Sequence, residues 1–204
     1  MDFSISEEQR ALVDSVRKVC QKEFAPRAIK YLDGTWPAEN MKTLAEIGVL
    51  GMAVPPEYGG SGLGILDTVL VLEEIAKVSP AVAFPVFESC FGPVLAIRHF
   101  APDALAKRIV PKVCAGEMIV AVAMSEPDAG SALTDLRTRG TMDGDSVVID
   151  GQKRWCSGAG HADAYLVYCR LSDAPGAKGI GAVLDRKSTR LNSSHITISY
   201  AVFC

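Results

Sequence analysis

The chain has 204 residues, 49% of them hydrophobic and 22% charged, with a net charge of −3 at neutral pH. That length and apolar fraction suit one or two globular domains with a real core, and the weak negative charge without a basic stripe argues against a nucleic-acid partner. Six cysteines (Cys20, Cys90, Cys114, Cys156, Cys169, Cys204) form no CxxC pair and keep no zinc-ligand spacing with His99, His161 or His195, so reduced thiols are expected and no metal site.

From the N-terminus, Met1 to Glu8 is acidic and has no basic segment followed by an apolar run, so neither a secretory signal nor a transit peptide is expected, and the location expected is cytoplasmic. Ser6 and Gln9 have the spacing of a capping box, which satisfies the free amides at a helix start. Leu12, Val16, Val19 and Phe24 then follow at steps near one or two helical turns, placing one apolar face on that helix. A second helix is expected over Ala38–Ile47, ended by Gly48. A third runs from about Leu66 through Ala76, with Glu73 and Lys77 at i,i+4. Helical spacing continues over about Val86–Phe100 and Asp103–Cys114, where Lys107, Arg108 and Lys112 read as a solvated face. The apolar stretch Ala81–Ala101 is interrupted by Pro85, Glu88, Pro93 and Arg98, and no membrane span is expected from it.

Near Gly116 the period changes from helical to alternating. Met118–Met124, Val147–Ile149, Lys153–Cys156, Ala164–Cys169 and Ile180–Leu184 read as strands, and Asp150-Gly151 reads as a tight hairpin turn. The expected fold class is α+β. An all-helical domain spans 1–117, a small antiparallel β-barrel-like domain 118–186, and a distinct tail 187–204. The tail is rich in Ser and Thr and then alternates at Ile196, Ile198, Tyr200 and Val202, a pattern that by itself would suit an edge strand.

Three motifs stand out. Gly59-Gly60-Ser61-Gly62-Leu63-Gly64 precedes a helix, but Pro55-Pro56-Glu57-Tyr58 stands where a dinucleotide fingerprint needs a strand, so a loop between helices is the simpler reading. Ser125-Glu126-Pro127-Asp128-Ala129-Gly130-Ser131 follows a strand. Pro127 stops that strand, and Gly130 and Ser131 offer amides and a hydroxyl to an anion, although a plain polar turn fits the same residues. Lys153-Arg154-Trp155-Cys156-Ser157-Gly158 puts an indole beside a hydroxyl and a glycine, as one wall of a flat aromatic site or simply as core.

Taken in order, Met1 through Gln9, Pro56-Glu57-Tyr58-Gly59-Gly60, Ala123-Met124-Ser125-Glu126-Pro127 with Gly130-Ser131, and Asp150-Gly151-Gln152-Lys153 with Trp155-Cys156-Ser157 resemble the acyl-CoA dehydrogenase family over about residues 1–185. The resemblance implies an FAD flavoprotein, an oxidoreductase of fatty acid metabolism that α,β-dehydrogenates acyl-CoA thioesters. It implies hydride transfer to flavin N5, onward transfer of electrons to an electron-transfer flavoprotein, and a tetramer when full length. It also implies roles for individual residues. Val122, Ala123, Met124 and Ser125 would run along the flavin, with the Ser125 hydroxyl at the pyrimidine side of the ring. Gly130 and Ser131 would lie near the cofactor pyrophosphate, and Ser131 also near the acyl-CoA thioester. Trp155 would cover one flavin face, Ser157 would approach N5, and Cys156 would contribute its backbone.

Ala132 departs from the family pattern, where an Asp commonly follows the Gly-Ser pair. The family's catalytic Glu lies in a C-terminal helical domain, so no base is assigned within this chain. Glu73, Glu74 and Glu126 each have a structural reading instead. Beyond Arg186 the family pattern gives way to Lys187-Ser188-Thr189-Arg190-Leu191-Asn192, which is expected to be foreign sequence at a truncation, leaving a chain inactive on its own. The same resemblance also fits an acyl-CoA oxidase, a flavin monooxygenase, or a non-catalytic flavin- or CoA-binding partner.

Overall fold

In a computed structural model that describes residues 4–144, 146–186, 196–198 and 202–203, the chain forms two compact units. One comprises Met1–Phe91 with Pro111–Glu117, the other Gly92–Val110 with Met118–Cys204. The helices are α1 (Glu7–Val19), α2 (Ala38–Glu46), α3 (Ile65–Val78), α4 (Pro80–Cys90), α5 (Pro93–Phe100) and α6 (Asp103–Cys114). The strands are β1 (Val120–Ala123), β2 (Arg139–Asp143), β3 (Ser146–Asp150), β4 (Ala164–Arg170), β5 (Ile180–Arg186), β6 (Ile196–Ile198) and β7 (Val202–Phe203).

In the first unit the capping box forms as the sequence requires. The Ser6 hydroxyl accepts from the Gln9 amide at 3.1 Å, and the Gln9 side-chain carbonyl accepts from the Ser6 amide at 2.9 Å. Val16, Cys20 and Phe24 then bury a stripe against Val71, Ile75 and Leu44, while polar pairs fix the rotation of α1 on α3. Gln9 Nε2 donates to Asp67 at 2.7 Å, and Arg17 grips Glu74 with two bonds of 2.9 and 3.1 Å. Glu73 makes the expected pair with Lys77 at 3.2 Å, but it is Glu74, buried, that joins the two helices. Proline sets the helix boundaries here. Ser79, before Pro80, is extended (φ −153°), because the proline ring excludes its predecessor from helical space, and Pro80 then opens α4 at a position needing no amide. At Gly92, before Pro93, the backbone also leaves helical space (φ −66°, ψ −114°), so the expected helical stretch Val86–Phe100 is two helices broken at Phe91–Gly92. Pro80–Phe100 is long and apolar enough to cross a membrane by length and composition alone, but 56% of its apolar window is buried inside protein.

In the second unit the strands lie in the order β6-β3-β2-β4-β5-β7, with β1 also on β4. This corrects the expected antiparallel barrel-like domain: the sheet is open and mixed. β1 runs parallel to β4 from Val120↔Ala164 to Ala123↔Val167, and β2 meets β4 in parallel at Arg139↔Arg170. The reason is the loop at 124–138, which leaves the β4 edge after β1 and returns further along in the same direction as β2. The hairpin is also displaced. β2 and β3 pair from Asp143↔Ser146 to Arg139↔Asp150, turning at Gly144 (φ 60°), whereas no strand follows Asp150-Gly151 and Lys153–Cys156 is irregular. Gly151 answers a different need, since a Cβ there would lie 2.6 Å from the Thr138 Cα.

Side chains alternate into one core: Ala121 and Ala123, Val147 and Ile149, Tyr165, Val167 and Cys169, and Val183. The other face of β4 is buried too, because Ala96 and Phe100 of α5 face Leu166, Tyr168 and Ala182 around an apolar cavity of ≈ 210 Å³. Burial on both faces accounts for the continuous apolar run of β4, and it places α5 with the sheet although it reads as part of the helical region. Lys187–His195, where foreign sequence is expected to begin, lies outside the described residues, and Ile196–Ile198 and Val202–Phe203 pair with β3 and β5.

Candidate functional site

Two separated stretches, 121–131 and 153–158, are held side by side at the end of β1. The Arg154 amide donates to the Ser125 carbonyl at 2.8 Å. Four residues on, Gly158 lies over Ala121 so closely that a Cβ would come within 2.7 Å of the alanine methyl. The second stretch therefore runs back along the first, carrying Trp155 and Ser157 past Met124 and Val122 without forming a ladder.

Along the first stretch, Ala121 and Ala123 point into the core, and Val122, Met124 and Ser125 are half-buried. A tight turn follows: the Glu126 amide donates to the Ala129 carbonyl at 2.9 Å and the Ala129 amide returns the bond at 3.3 Å. Pro127 sits at its exposed tip, where its missing donor costs nothing. Gly130 and Ser131 are exposed, and a Cβ on Gly130 would meet nothing within 4 Å. Along the second stretch Cys156 is half-buried and Ser157 exposed.

Trp155 is the anomaly. Its indole is 81% exposed, and it adopts φ 59°, as no other described residue except glycine does. An L-residue in left-handed space costs about 1–2 kcal/mol, and a bare indole in water gains little in return. Backbone strain that no folding contact repays is characteristic of functional positions.

Sequence reasoning passed over the pair that fixes the two stretches. Lys153 Nζ donates to the Met124 carbonyl at 2.9 Å and to Glu126 Oε1 at 2.8 Å, and the two side chains are only 12% and 7% exposed. Glu126 also accepts the amides of Arg137 at 2.6 Å and Thr138 at 2.9 Å, closing the loop between β1 and β2. Burial alone would raise the Glu126 carboxyl, but the Arg137 amide, Lys153 and Thr138 outweigh it and hold it at about 2. Burial in turn lowers Lys153 from its ordinary value, and Glu126 partly offsets this. The partners lie too far apart in sequence for either helical or strand spacing to link them.

None of the three carboxylates considered as a base is free for proton transfer. Glu126 is spent on the loop. Glu74 is held at about 2, chiefly by Arg17 and then Lys77, far from the near-neutral value a general base needs. Glu73 pairs with Lys77 on the surface. The glycine loop before α3 is spent likewise, because Gly59, Gly60 and Gly62 donate to Pro56, Pro55 and Val54, and Gly64 to the Asp67 side chain. The glycine amides of this motif are thus all engaged within the loop. Cys20, Cys90, Cys114 and Cys169 are buried thiols outside any disulfide, and burial lifts Cys20 and Cys114 to about 11. Among the described residues no cluster of His, Cys, Asp and Glu could hold a metal.

What remains is an open surface bearing a flat exposed ring, hydroxyls at Ser125, Ser131 and Ser157, and an unobstructed glycine at Gly130. This donor set suits a planar aromatic ligand with an anionic arm, which is the chemistry of a flavin dinucleotide.

Comparison with known proteins agrees with that chemistry. Residues 6–117 match the acyl-CoA dehydrogenase N-terminal domain, and residues 121–198 match the middle domain, running on into the stretch that sequence reading set apart as a tail. A 3-sulfinopropanoyl-CoA desulfinase of Advenella mimigardefordensis is 34% identical over 183 residues, covering 89% of this chain and 45% of its own length. The mitochondrial isovaleryl-CoA dehydrogenase of Pongo abelii is 35% identical over 189 residues, covering 90% of this chain and 44% of its own length. The FAD complex of PigA superposes with a TM-score of 0.84 at 26% identity, over 93% of this chain and 50% of that one. The chain thus spans about half the length of the curated relatives it matches. On both of its domains, this chain belongs to the acyl-CoA dehydrogenase family.

Proposed function

We infer that the chain supplies the cofactor-facing part of an FAD-dependent enzyme acting on acyl-CoA thioesters, whose reaction is α,β-dehydrogenation. The observation that carries this reading is Trp155, strained and exposed beside Ser125, within a fold whose relatives include the FAD complex of PigA and an isovaleryl-CoA dehydrogenase. When bound, FAD supplies the hydride acceptor that the side chains of this protein lack. The chain's part is to bind and orient. The Trp155 ring offers a stacking face, the Ser125 and Ser157 hydroxyls offer hydrogen bonds to the ring system, and Gly130 with Ser131 offers a close approach for the dinucleotide arm. Electron-transfer flavoprotein as the acceptor and a tetrameric assembly belong to the same reading, resting on the family resemblance.

A second reading, favoured by the 34% identity to a desulfinase, keeps the same flavin and thioester site but removes a sulfinate group from the substrate. The test is to express the protein from its complete coding sequence, quantify bound FAD, and add straight-chain, branched and 3-sulfinopropanoyl thioesters without air. Bleaching of the flavin by a saturated acyl-CoA supports dehydrogenation. Sulfite release without bleaching supports the second reading, and rapid reoxidation of the bleached flavin by air marks an oxidase. A protein that takes up no FAD ends the proposal.

A further inference from the structure

The Lys153–Glu126 pair is more elaborate than folding requires. A buried ion pair is weak evidence for stability, since apolar residues of similar shape commonly replace one at no loss. This pair has a more particular geometry. The Lys153 ammonium reaches the carbonyl of Met124, one residue before Ser125, and its own backbone leads two residues on to Trp155. Glu126, one residue after Ser125, receives the same ammonium. Ser125 is thus flanked on both sides by contacts to a single cation, and its own carbonyl takes the Arg154 amide. Three consecutive residues of one stretch are fixed by two consecutive residues of the other. Glu126 in turn is anchored to the backbone entering β2 through the amides of Arg137 and Thr138. The pair therefore transmits the rigidity of the sheet to two residues that have little packing of their own.

We propose that Lys153 and Glu126 are positioning residues that set the spacing between Ser125 and the Trp155 ring, and so the width of the slot into which the flavin fits. This rests on the flavin reading above. Neither residue touches the reacting atoms; both act through the backbone they hold. A displacement of about 1 Å in such a site can cost about 100-fold in rate, so the spacing is worth a buried pair.

The test uses protein expressed from its complete coding sequence, with Lys153→Met, which keeps an unbranched side chain one atom shorter and removes the charge, and Glu126→Gln, which keeps the shape. Three measurements are made on each: the melting temperature, hydrogen exchange at residues 124–131 and 153–158 against β4 and β5, and the dissociation constant for FAD. The expected result for Lys153→Met is a folded protein with unchanged exchange in β4 and β5. Exchange in the two stretches rises by about tenfold or more, and FAD affinity falls by about 10- to 100-fold, as is usual when a partner that orients a ligand-binding group is lost. Glu126→Gln is expected to change exchange and affinity in the same direction. Unchanged exchange in the two stretches overturns the proposal. So does faster exchange with wild-type FAD affinity, which would make the pair a purely structural clasp. Should the unsubstituted protein take up no FAD, the flavin reading fails on its own account. The exchange measurement then still decides whether the pair holds Ser125 to Trp155.

Discussion

Replacing Trp155 separates the cost of its backbone from the use of its ring. At an ordinary position alanine is more stable than glycine by about 0.5–1 kcal/mol, because glycine has more conformational freedom to lose on folding. At φ 59° the order should reverse. Alanine retains the clash of its Cβ in left-handed space, about 1–2 kcal/mol, and glycine does not. The net expectation is that Trp155→Gly is more stable than Trp155→Ala by about 0.5–1 kcal/mol. Both variants lose the same indole contacts, among them the Arg154 guanidinium 5.9 Å from the ring centroid, so those contacts cancel in the comparison. For a protein of this length such a difference is about 1–4 °C in Tm, within reach of thermal melts followed by circular dichroism. Both variants should bind FAD more weakly than the unsubstituted protein by a similar factor, since both lack the ring. An alanine variant as stable as the glycine variant, or more so, would show that the left-handed backbone is not a fixed feature of this loop. Trp155 would then hold no strain for a bound ligand to repay.

Two further substitutions probe the first unit. Glu74, held at about 2 against an ordinary 4.5, is stabilising above pH 4.5, and that contribution is lost as pH falls toward 2. It amounts to at most about 3 kcal/mol, and less in practice because water screens its partner Arg17. Glu74→Gln should therefore lower stability at neutral pH and flatten the acid side of the stability–pH curve, with the two curves meeting in strong acid; parallel curves across denaturant titrations at several pH values would contradict this. Gly60→Ala puts a Cβ 2.0 Å from the Val54 carbonyl oxygen, which also accepts the Gly62 amide at 2.8 Å, so the loop must open. A loss of about 2 kcal/mol or more is expected, and an unchanged Tm would show that the loop yields freely.

Much of the helical unit is legible because its determinants are local. Ser6 and Gln9 cap a helix whatever surrounds them, and Gly48 with φ 71° ends α2 as its sequence position suggests. The break at Phe91–Gly92 is legible as well, since Pro93 excludes its predecessor from helical space just as Pro80 does. Spacing alone, which runs apolar residues on through Phe100, hides it. The sheet is less legible. Asp143-Gly144 and Asp150-Gly151 carry the same hairpin signal, and only the first is a hairpin. What separates them is Thr138, whose backbone presses on Gly151 and demands a missing side chain there for another reason. The parallel course of β1 beside β4 depends on where a fifteen-residue stretch (~50 Å if fully extended) rejoins the sheet, and no local pattern encodes that.

The candidate site shows the same division, with a consequence for how its residues should be weighed. Residue types that present chemistry, such as Ser125, Trp155 and Ser157, can be picked out in sequence because indole and hydroxyl groups at strand ends are worth noticing wherever they occur. Residues that hold those groups in place cannot. Lys153 lies among Gln152 and Arg154 and looks like one more surface charge, while Glu126 looks like part of a polar turn. Their meaning appears only when the ammonium is found buried between a carbonyl and a carboxylate, 2.9 and 2.8 Å away, with two backbone amides completing the carboxylate's shell. A charge so buried persists only where its partners are all present, so removing any one of them strands the others. The anchored pair is consequently the less forgiving part of the site. Trp155, exposed and strained, can be exchanged with little damage to the fold, whereas Lys153 and Glu126 cannot be changed singly without moving what they hold.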